Sequence, residues 1–231
     1  NFFNANKPEC SGLLEPNFEH LDFFPNSDRF KIINISKVET TTIDDEFDEK
    51  NFPHFIKMDT EGSELEILKG GNRILDSVLG LEIECSFHQL RKNQPTFEEI
   101  KNFLETKKIQ FVDFFNLRRW ERKSEKSKNN KYGYTGQPQF FDALFTVSPE
   151  TIVERFISKK INKSVLKYYI TILFAFNRSD LLKTLIDLLS SENLSEYHLD
   201  EAYQLTKKQT KKINFIRKIN EFFMLFVREK N

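Results

Sequence analysis

Between residues 54 and 71 the hydrophobic pattern changes from a short continuous run to a helical one. Residues 55–58 form the run, which predicts a buried strand. Apolar side chains at 65, 67 and 68 then predict a helix with an inward apolar side. Gly62 permits a sharp turn between the two elements, and we expect Ser63 to cap the helix. The segment is therefore predicted to be a strand, a turn and a helix.

Two acidic residues, Asp59 and Glu61, follow this predicted strand at its carboxyl end. In open α/β sheets the ligand crevice lies just beyond the carboxyl ends of the strands. The pair of carboxylates is therefore a candidate functional site.

Similar patterns predict the rest of the first 147 residues. Thr96 and Glu99 have the spacing of a capping box, which predicts a helix start. The basic segment 118–131 is predicted to be a solvated loop. Strands that alternate with helices imply βαβ units and a mainly parallel sheet, so the fold class is α/β. The predicted strands lie within 30–42, 78–87, 109–115 and 140–147, and the predicted helix spans 96–107.

The pattern changes at Ser148, where strand signals stop. Ser148 is predicted to cap a helix that has Pro149 at its first position. We expect a C-terminal α-helical region over residues 148–231, separate from the α/β part at 1–147. Its five predicted helices are 152–160, 163–176, 179–189, 195–208 and 213–227.

Composition narrows the class of protein. The 35 basic and 35 acidic side chains cancel, so no overall field favours nucleic acid or an anionic membrane. Cys10 and Cys85 form no Cys-x-x-Cys pair, and the histidines lack the spacing of a helix-borne metal site. The longest apolar run, 168–176, is far below the roughly 20 residues that span a bilayer. We expect a metal-free, cytoplasmic protein with no membrane span.

Further charged groups belong to the second predicted strand. Alternation sends Glu82 and Glu84 to the same face of that strand. Buried charges are costly unless they are paired or face a crevice. The two glutamates therefore either pair with Lys57 or Arg73, lie on an open sheet edge, or contribute to the site. His88 follows the strand and could act as a general base, although such a histidine more often only hydrogen-bonds a loop.

Five segments in order resemble the C-terminal half of the FkbM family of S-adenosylmethionine-dependent methyltransferases. FIKMDTEGSELEILKGG is similar to the family's Lys-Ile-Asp-x-Gln/Glu-Gly-x-Glu signature, and GLEIECSFHQLRKNQPTF resembles its Glu-rich strand and the helix start after it. The chain departs from the family at Ser86, where a third glutamate is usual, and at Arg91, where an aromatic residue is common. The five segments are 8–17, 38–45, 55–71, 80–97 and 136–145.

The resemblance implies the C-terminal part of a Rossmann-like methyltransferase domain over about residues 1–147. The family's glycine-rich cofactor loop is absent, because the seven glycines include no Gly-x-Gly. The chain also begins without Met or a leader pattern. We therefore expect a piece of a longer protein, with the S-adenosylmethionine site upstream of residue 1.

The implied reaction is methyl transfer to a hydroxyl of a small-molecule or glycan acceptor, either a sugar or a polyketide-like product. Such a transfer needs positioning and a general base. We assign the base to Asp59, with Glu61 and Lys57 shaping the turn and with Glu84 or His88 in reserve.

Two other classes of function remain open from the sequence. The first is a non-catalytic interaction protein whose helical tail binds a protein partner. The second is a metal-dependent hydrolase that uses carboxylates as ligands. The candidate ligands are Asp59, Glu61, Glu82 and Glu84.

Overall fold

The computed structural model describes residues 1–48, 52–124 and 136–192. The chain divides into two compact units, Asn1–Val147 and Ser148–Asn231. The division falls where the strand patterns of the sequence end.

The first unit begins with a small antiparallel sheet. Strand β1 (Phe2–Ala5) pairs with β2 (Ile32–Ser36). The one-turn helix α1 (Phe18–Leu21) lies between them in sequence, and the one-turn helix α2 (Ile43–Glu46) follows. Only part of the predicted 30–42 segment is therefore strand.

The main sheet has four strands. They are β3 (Phe55–Met58), β4 (Gly80–Ser86), β5 (Ile109–Trp120) and β6 (Gln137–Val147). Their order is β3-β4-β6-β5, with β3 and β4 parallel. Helix α3 (Glu64–Lys69) follows β3, and α4 (Phe97–Thr106) follows β4.

The prediction of a mainly parallel sheet was wrong. Strand β6 is antiparallel to both of its neighbours, β4 and β5. Of the three strand pairs in this sheet, only β3–β4 is parallel. The fold is therefore α/β with a mixed sheet.

The two faces of this sheet differ in polarity. Leu81, Ile83 and Cys85 of β4 are fully buried on one face. Phe141 and Phe145 of β6 stack with Phe97 of α4 on that side, with ring centroids 5.2 and 6.2 Å apart. The alternation of β4 places Glu82 and Glu84 on the opposite face. The sheet therefore has one face packed in an aromatic and aliphatic core and an opposite face that carries charged side chains.

Strand β5 is longer than predicted, so the predicted loop 118–131 was wrong at residues 118–120. Residues 125–131 of that predicted loop lie outside the described residues. Burial of Trp120 explains the extension, because its side chain is 2% exposed and packs edge-on against Phe24 at 5.5 Å. Phe30 and Leu21 belong to the same hydrophobic cluster. The strand must therefore continue past Arg118 to place Trp120 in the core.

The second unit consists of helices in the described residues. They are α5 (Pro149–Ile157), α6 (Lys163–Ala175) and α7 (Ser179–Ser191). The Ser148 hydroxyl accepts a bond from the Thr151 amide at 3.2 Å, so the predicted cap is confirmed. The predicted helices 195–208 and 213–227 lie outside the described residues. In the ranges that the structure describes, no helix is long and apolar enough to cross a membrane.

Candidate active site

The turn after β3 has an unusual backbone. Glu61 and Gly62 both have positive φ, at 59° and 103°. A Cβ at Gly62 would lie 3.2 Å from Gln94 Cγ and 3.3 Å from Leu14 Cδ1. Glycine is therefore required here by both conformation and space.

The Glu64 carboxylate fixes this turn from inside. Its Oε1 accepts bonds from the Thr60 amide at 2.9 Å and the Gly62 amide at 3.2 Å. The Thr60 hydroxyl donates to the same oxygen at 3.0 Å. Ser63 makes no side-chain capping bond, so the predicted Ser63 cap was wrong. The sequence interpretation missed Glu64, although an acidic residue in a first helical turn is a known stabilising signal.

The two glutamates of β4 have different surroundings. Register places Lys57 beside Glu82, and the two side chains form an ion pair. Glu84 lies opposite Asp142 of the neighbouring strand β6, so its partner in the sheet register is another acidic residue. Pairing with Lys57, one of the alternatives that the sequence left open, is therefore correct for Glu82. It does not apply to Glu84.

A cavity of about 420 Å³ lies over the charged face of the sheet. Three of the predicted site residues line it, namely Lys57, Asp59 and Glu84. Asp59 is exposed, so its carboxylate is not enclosed in the protein interior. The remaining lining residues, which the sequence interpretation missed, are Arg29, Asn116, Arg118, Phe140 and Asp142.

These missed residues come from distant parts of the chain. The Asn116 side-chain amide donates to Asp142 Oδ2 at 2.6 Å, which links β5 to β6 within the cavity wall. The Arg29 guanidinium lies 4.8 Å from the ring centroid of Phe30 and 4.8 Å from that of Trp120. Aromatic stacking of this kind restrains a guanidinium. No local sequence pattern marks such residues as neighbours of Asp59.

Glu84 has a strongly perturbed proton affinity. Burial and then the negative charges of Asp59 and Glu61 raise the pKa of Glu84 to about 8. Both effects disfavour the carboxylate form. Glu84 therefore holds a proton for most of the time at neutral pH.

Glu61 does not line this cavity. Its carboxylate forms an ion pair with Arg91, whose side chain is 2% exposed. Burial raises the pKa of Glu61, and the Arg91 charge opposes this rise. Glu61 thus belongs to the structure of the turn.

His88 is also outside the cavity lining. Its ring stacks on His20 with a centroid separation of 5.1 Å, and its Nε2 lies 2.9 Å from Gln137 Nε2. Burial and then the His20 charge lower the pKa of His88. The structure therefore groups His88 with His20 and Gln137 and not with Asp59.

The four candidate carboxylate ligands do not form a metal centre. Glu61 and Glu82 are each bonded to a cation, Arg91 and Lys57 respectively. Across the described ranges of the chain, no group of three or more His, Cys, Asp or Glu side chains could hold a metal ion. No observation of the structure thus favours the metal-dependent hydrolase.

A second cavity, of about 600 Å³, lies along α3. Its lining is mainly apolar and includes Leu13, Leu14, Ile43 and Ile67. None of the five predicted site residues lines it. The larger cavity also has titratable side chains, Glu66, Lys69 and Glu99. The smaller charged cavity is nevertheless the candidate site, because it brings Asp59 and Glu84 together beside the carboxyl ends of the parallel strands.

The fold and this cavity define an α/β protein with carboxylates at the carboxyl ends of parallel strands, a position typical of ligand sites. Residues 5–112 match the family model of the Methyltransferase FkbM domain, just under half of the chain. The match supports an FkbM-family methyltransferase, and the resemblance that the motifs indicated is confirmed. No curated protein and no solved structure matches the chain.

Proposed function

We propose that this protein is an S-adenosylmethionine-dependent O-methyltransferase whose acceptor binds in the cavity beside Asp59. The observation that carries the proposal is the presence of Asp59 and Glu84 in one cavity of about 420 Å³. This volume lies in the usual range for small-molecule sites. The FkbM match over residues 5–112 supports the reaction class, and the parallel β3–α3–β4 unit supports a Rossmann-like domain.

The lining of the cavity favours a sugar-like acceptor over a polyketide-like one. Phe140 is apolar, whereas the other lining residues carry charged or amide side chains. Such side chains hydrogen-bond hydroxyl groups, and an apolar acceptor would leave them desolvated and unpaired. We therefore expect a polyhydroxylated acceptor.

The chemistry assigned to the chain concerns the acceptor. S-adenosylmethionine would supply an electrophilic methyl group on its sulfonium. The sequence includes no Gly-x-Gly turn that could bind it, so we assign no residue to the cofactor. Asp59 accepts the proton of the acceptor hydroxyl, and the cavity walls fix that oxygen in position.

Glu84 has a separate role in this proposal. In its protonated form it donates a hydrogen bond to a second oxygen of the acceptor. Asp59 and Glu84 thus divide the roles of base and donor, as paired carboxyl groups with different environments commonly do. Lys57 is bonded to Glu82 and contributes a fixed positive charge at the cavity wall.

The test is methyl transfer by the full-length protein from labelled S-adenosylmethionine to a panel of sugar and polyketide-like acceptors. We expect label on a sugar hydroxyl, and a loss of about a hundredfold or more in kcat for Asp59→Asn. Asp76→Asn is the matched control, because the Asp76 side chain is 71% exposed and does not line the cavity. Near-normal turnover of Asp59→Asn would contradict the assignment of the base.

A protein partner for the helical tail and a cytoplasmic location stay predictions. The tail is tested by a pull-down with the full-length protein and with a form that ends at residue 147. Equal recovery of every captured protein by the two forms would argue against a partner for the tail.

A further inference from the structure

Arg91 is a charged side chain in the protein interior. The residue is 1% exposed. Its Nη2 donates to the Cys10 carbonyl at 3.0 Å and to the Glu61 carboxylate. Removal of a guanidinium from water is unfavourable until pairing offsets the lost hydration. A buried arginine therefore makes its specific contacts at a considerable cost in solvation.

The backbone of Glu61, the partner of Arg91, is in an unfavourable conformation for a non-glycine residue. Glu61 has a φ of 59°, in the left-handed region that favours glycine. A Cβ at Gly12 would lie 3.2 Å from Glu61 Cβ, so the segment before α1 packs tightly against the same residue. Glu61 is thus restrained by its ion pair with Arg91 and by the close approach of the backbone at Gly12.

Arg91 is itself fixed to the end of β4. Its backbone amide donates to Gln94 Oε1 at 3.0 Å, and Gln94 Nε2 donates to the Ser86 hydroxyl at 2.9 Å. Ser86 and Gln94 are 2% and 4% exposed. A continuous set of buried contacts therefore joins the last residue of β4 to the turn after β3.

We propose that Arg91 is a positioning residue, whose buried guanidinium binds Glu61 and thereby fixes the turn that presents Asp59 to the cavity. The functional part of this inference rests on the proposed function, because it takes the cavity as the acceptor site.

The structural test is amide hydrogen exchange, measured by NMR on the full-length protein. The reporters are the Thr60 and Gly62 amides, which donate to Glu64, and the Ile83 amide in β4 is the global reference. In Arg91→Met we expect exchange at the two turn amides to accelerate at least about tenfold more than at Ile83. Lys92→Met is the matched control, because Lys92 pairs with Glu15 on the surface, with side chains 55% and 47% exposed.

Equal acceleration at the turn and at Ile83 would show a purely global effect and would overturn the proposal. Unchanged exchange at the turn would overturn it as well. If Arg91→Met does not fold, the double variant Arg91→Met with Glu61→Met takes its place, since replacing both charges of a buried pair is often tolerated. The same acceleration is expected there, because the restraint is absent.

The kinetic test separates positioning from stability. We expect kcat per folded molecule to fall about tenfold or more in Arg91→Met, with the KM for S-adenosylmethionine unchanged. Arg91→Lys should recover most of this loss, because it restores a cation opposite Glu61. A kcat within about twofold of wild type in Arg91→Met would overturn the inference. If the wild type transfers no methyl group to any acceptor, the proposed function fails, and the exchange measurement still decides whether Arg91 positions the turn.

Discussion

The Glu84 carboxyl links protonation to folding. Its pKa is 4.5 as a free side chain and about 8 in the folded protein. Between these values the folded state holds a proton that the unfolded state has lost, so stability falls as pH rises from 4.5 to 8. Below the lower value both states are protonated, and above the higher value both are ionised, so the contribution is constant in those ranges.

Glu84→Gln should therefore remove the part of the pH dependence of folding stability that comes from Glu84. We expect its Tm at pH 9 to exceed that of the wild type by on the order of 10 °C, with little difference at pH 5. The measurement is thermal unfolding at pH 5, 7 and 9. Glu66→Gln, a substitution on the exposed surface of α3, serves as control and should keep the wild-type profile. A parallel offset of Glu84→Gln at all three pH values would show that loss of the proton from Glu84 is not the cause.

Substitution of Gly62 tests the conformation of the turn. Gly62→Ala places a Cβ on a residue with φ of 103° and within 3.2 Å of Gln94 Cγ. We expect a loss of at least about 1 kcal/mol in the free energy of unfolding. The control is Gly71→Ala, whose new Cβ would be 3.5 Å from Ile43 Cβ, an ordinary contact. Equal stability of the two variants in urea unfolding would show that the turn is not restrictive.

The residues of the turn show what local sequence can predict. Asp59 was predicted at the carboxyl end of a strand, and it lies there, because alternation and turn chemistry act over a few positions. The contact of Glu61 with Arg91 spans 30 positions. No periodicity reaches so far, and only the packing of the turn against the segment after β4 brings the two side chains together.

At the scale of elements, the capping box of α4 is a local sequence signal that was sufficient to predict where the helix begins. Glu99 Oε2 accepts bonds from the Thr96 amide at 2.8 Å and from the Thr96 hydroxyl at 3.0 Å, so the predicted capping box is confirmed. These two bonds lower the pKa of Glu99. The carboxylate form is therefore the one that stabilises the start of α4.

Glu99→Ala should destabilise the protein by about 1 kcal/mol at pH 7, because the start of α4 loses its cap. The difference should shrink as the pH falls through the range in which Glu99 takes up a proton. Urea unfolding at pH 7 and pH 3.5 measures both effects. Glu98→Ala, on the neighbouring exposed position, is the control and should change stability by only a few tenths of a kcal/mol. Equal losses in the two variants would exclude the capping role.

The apolar runs of the strands are a sequence signal that was not sufficient to predict the order of the strands in the sheet. Their existence was predicted from apolar runs, and β3, β4, β5 and β6 are all present. Their order was not predictable in this way, because an apolar run records burial and not the identity of the neighbouring strand. Strand β6 lies between β4 and β5, and this insertion brings Asp142 beside Glu84.

At the scale of the whole molecule, the balance of charge governs association. The chain has 35 basic and 35 acidic side chains and an isoelectric point near 7.1. Molecules near zero net charge lack mutual repulsion. We expect solubility to be lowest near pH 7 and to rise at pH 5.5 and pH 8.5, as measured by light scattering at fixed concentration. A monotonic change in scattering through pH 7 would show that a local patch and not net charge controls association.

The resemblance to a family also belongs to this scale. Residues 5–112 match the FkbM methyltransferase domain, and the motifs that indicated it are ordered short segments with local chemistry. The motifs that carry the resemblance did not indicate all the residues that line the candidate cavity. Arg29, Asn116 and Arg118 contribute to the cavity through the aromatic packing of Trp120 and the register of β5 against β6.

The sequence by itself determined the local elements, the acidic turn after β3, the caps of α4 and α5 and the resemblance to the FkbM family, because each depends on residues within a few positions of one another. Only the tertiary structure decided which carboxylates share a cavity, which are bonded to cations, and which of them retains a proton. The physical reason is that burial and charge pairing depend on neighbours in space. Those neighbours are set by strand order and by side-chain packing between distant segments.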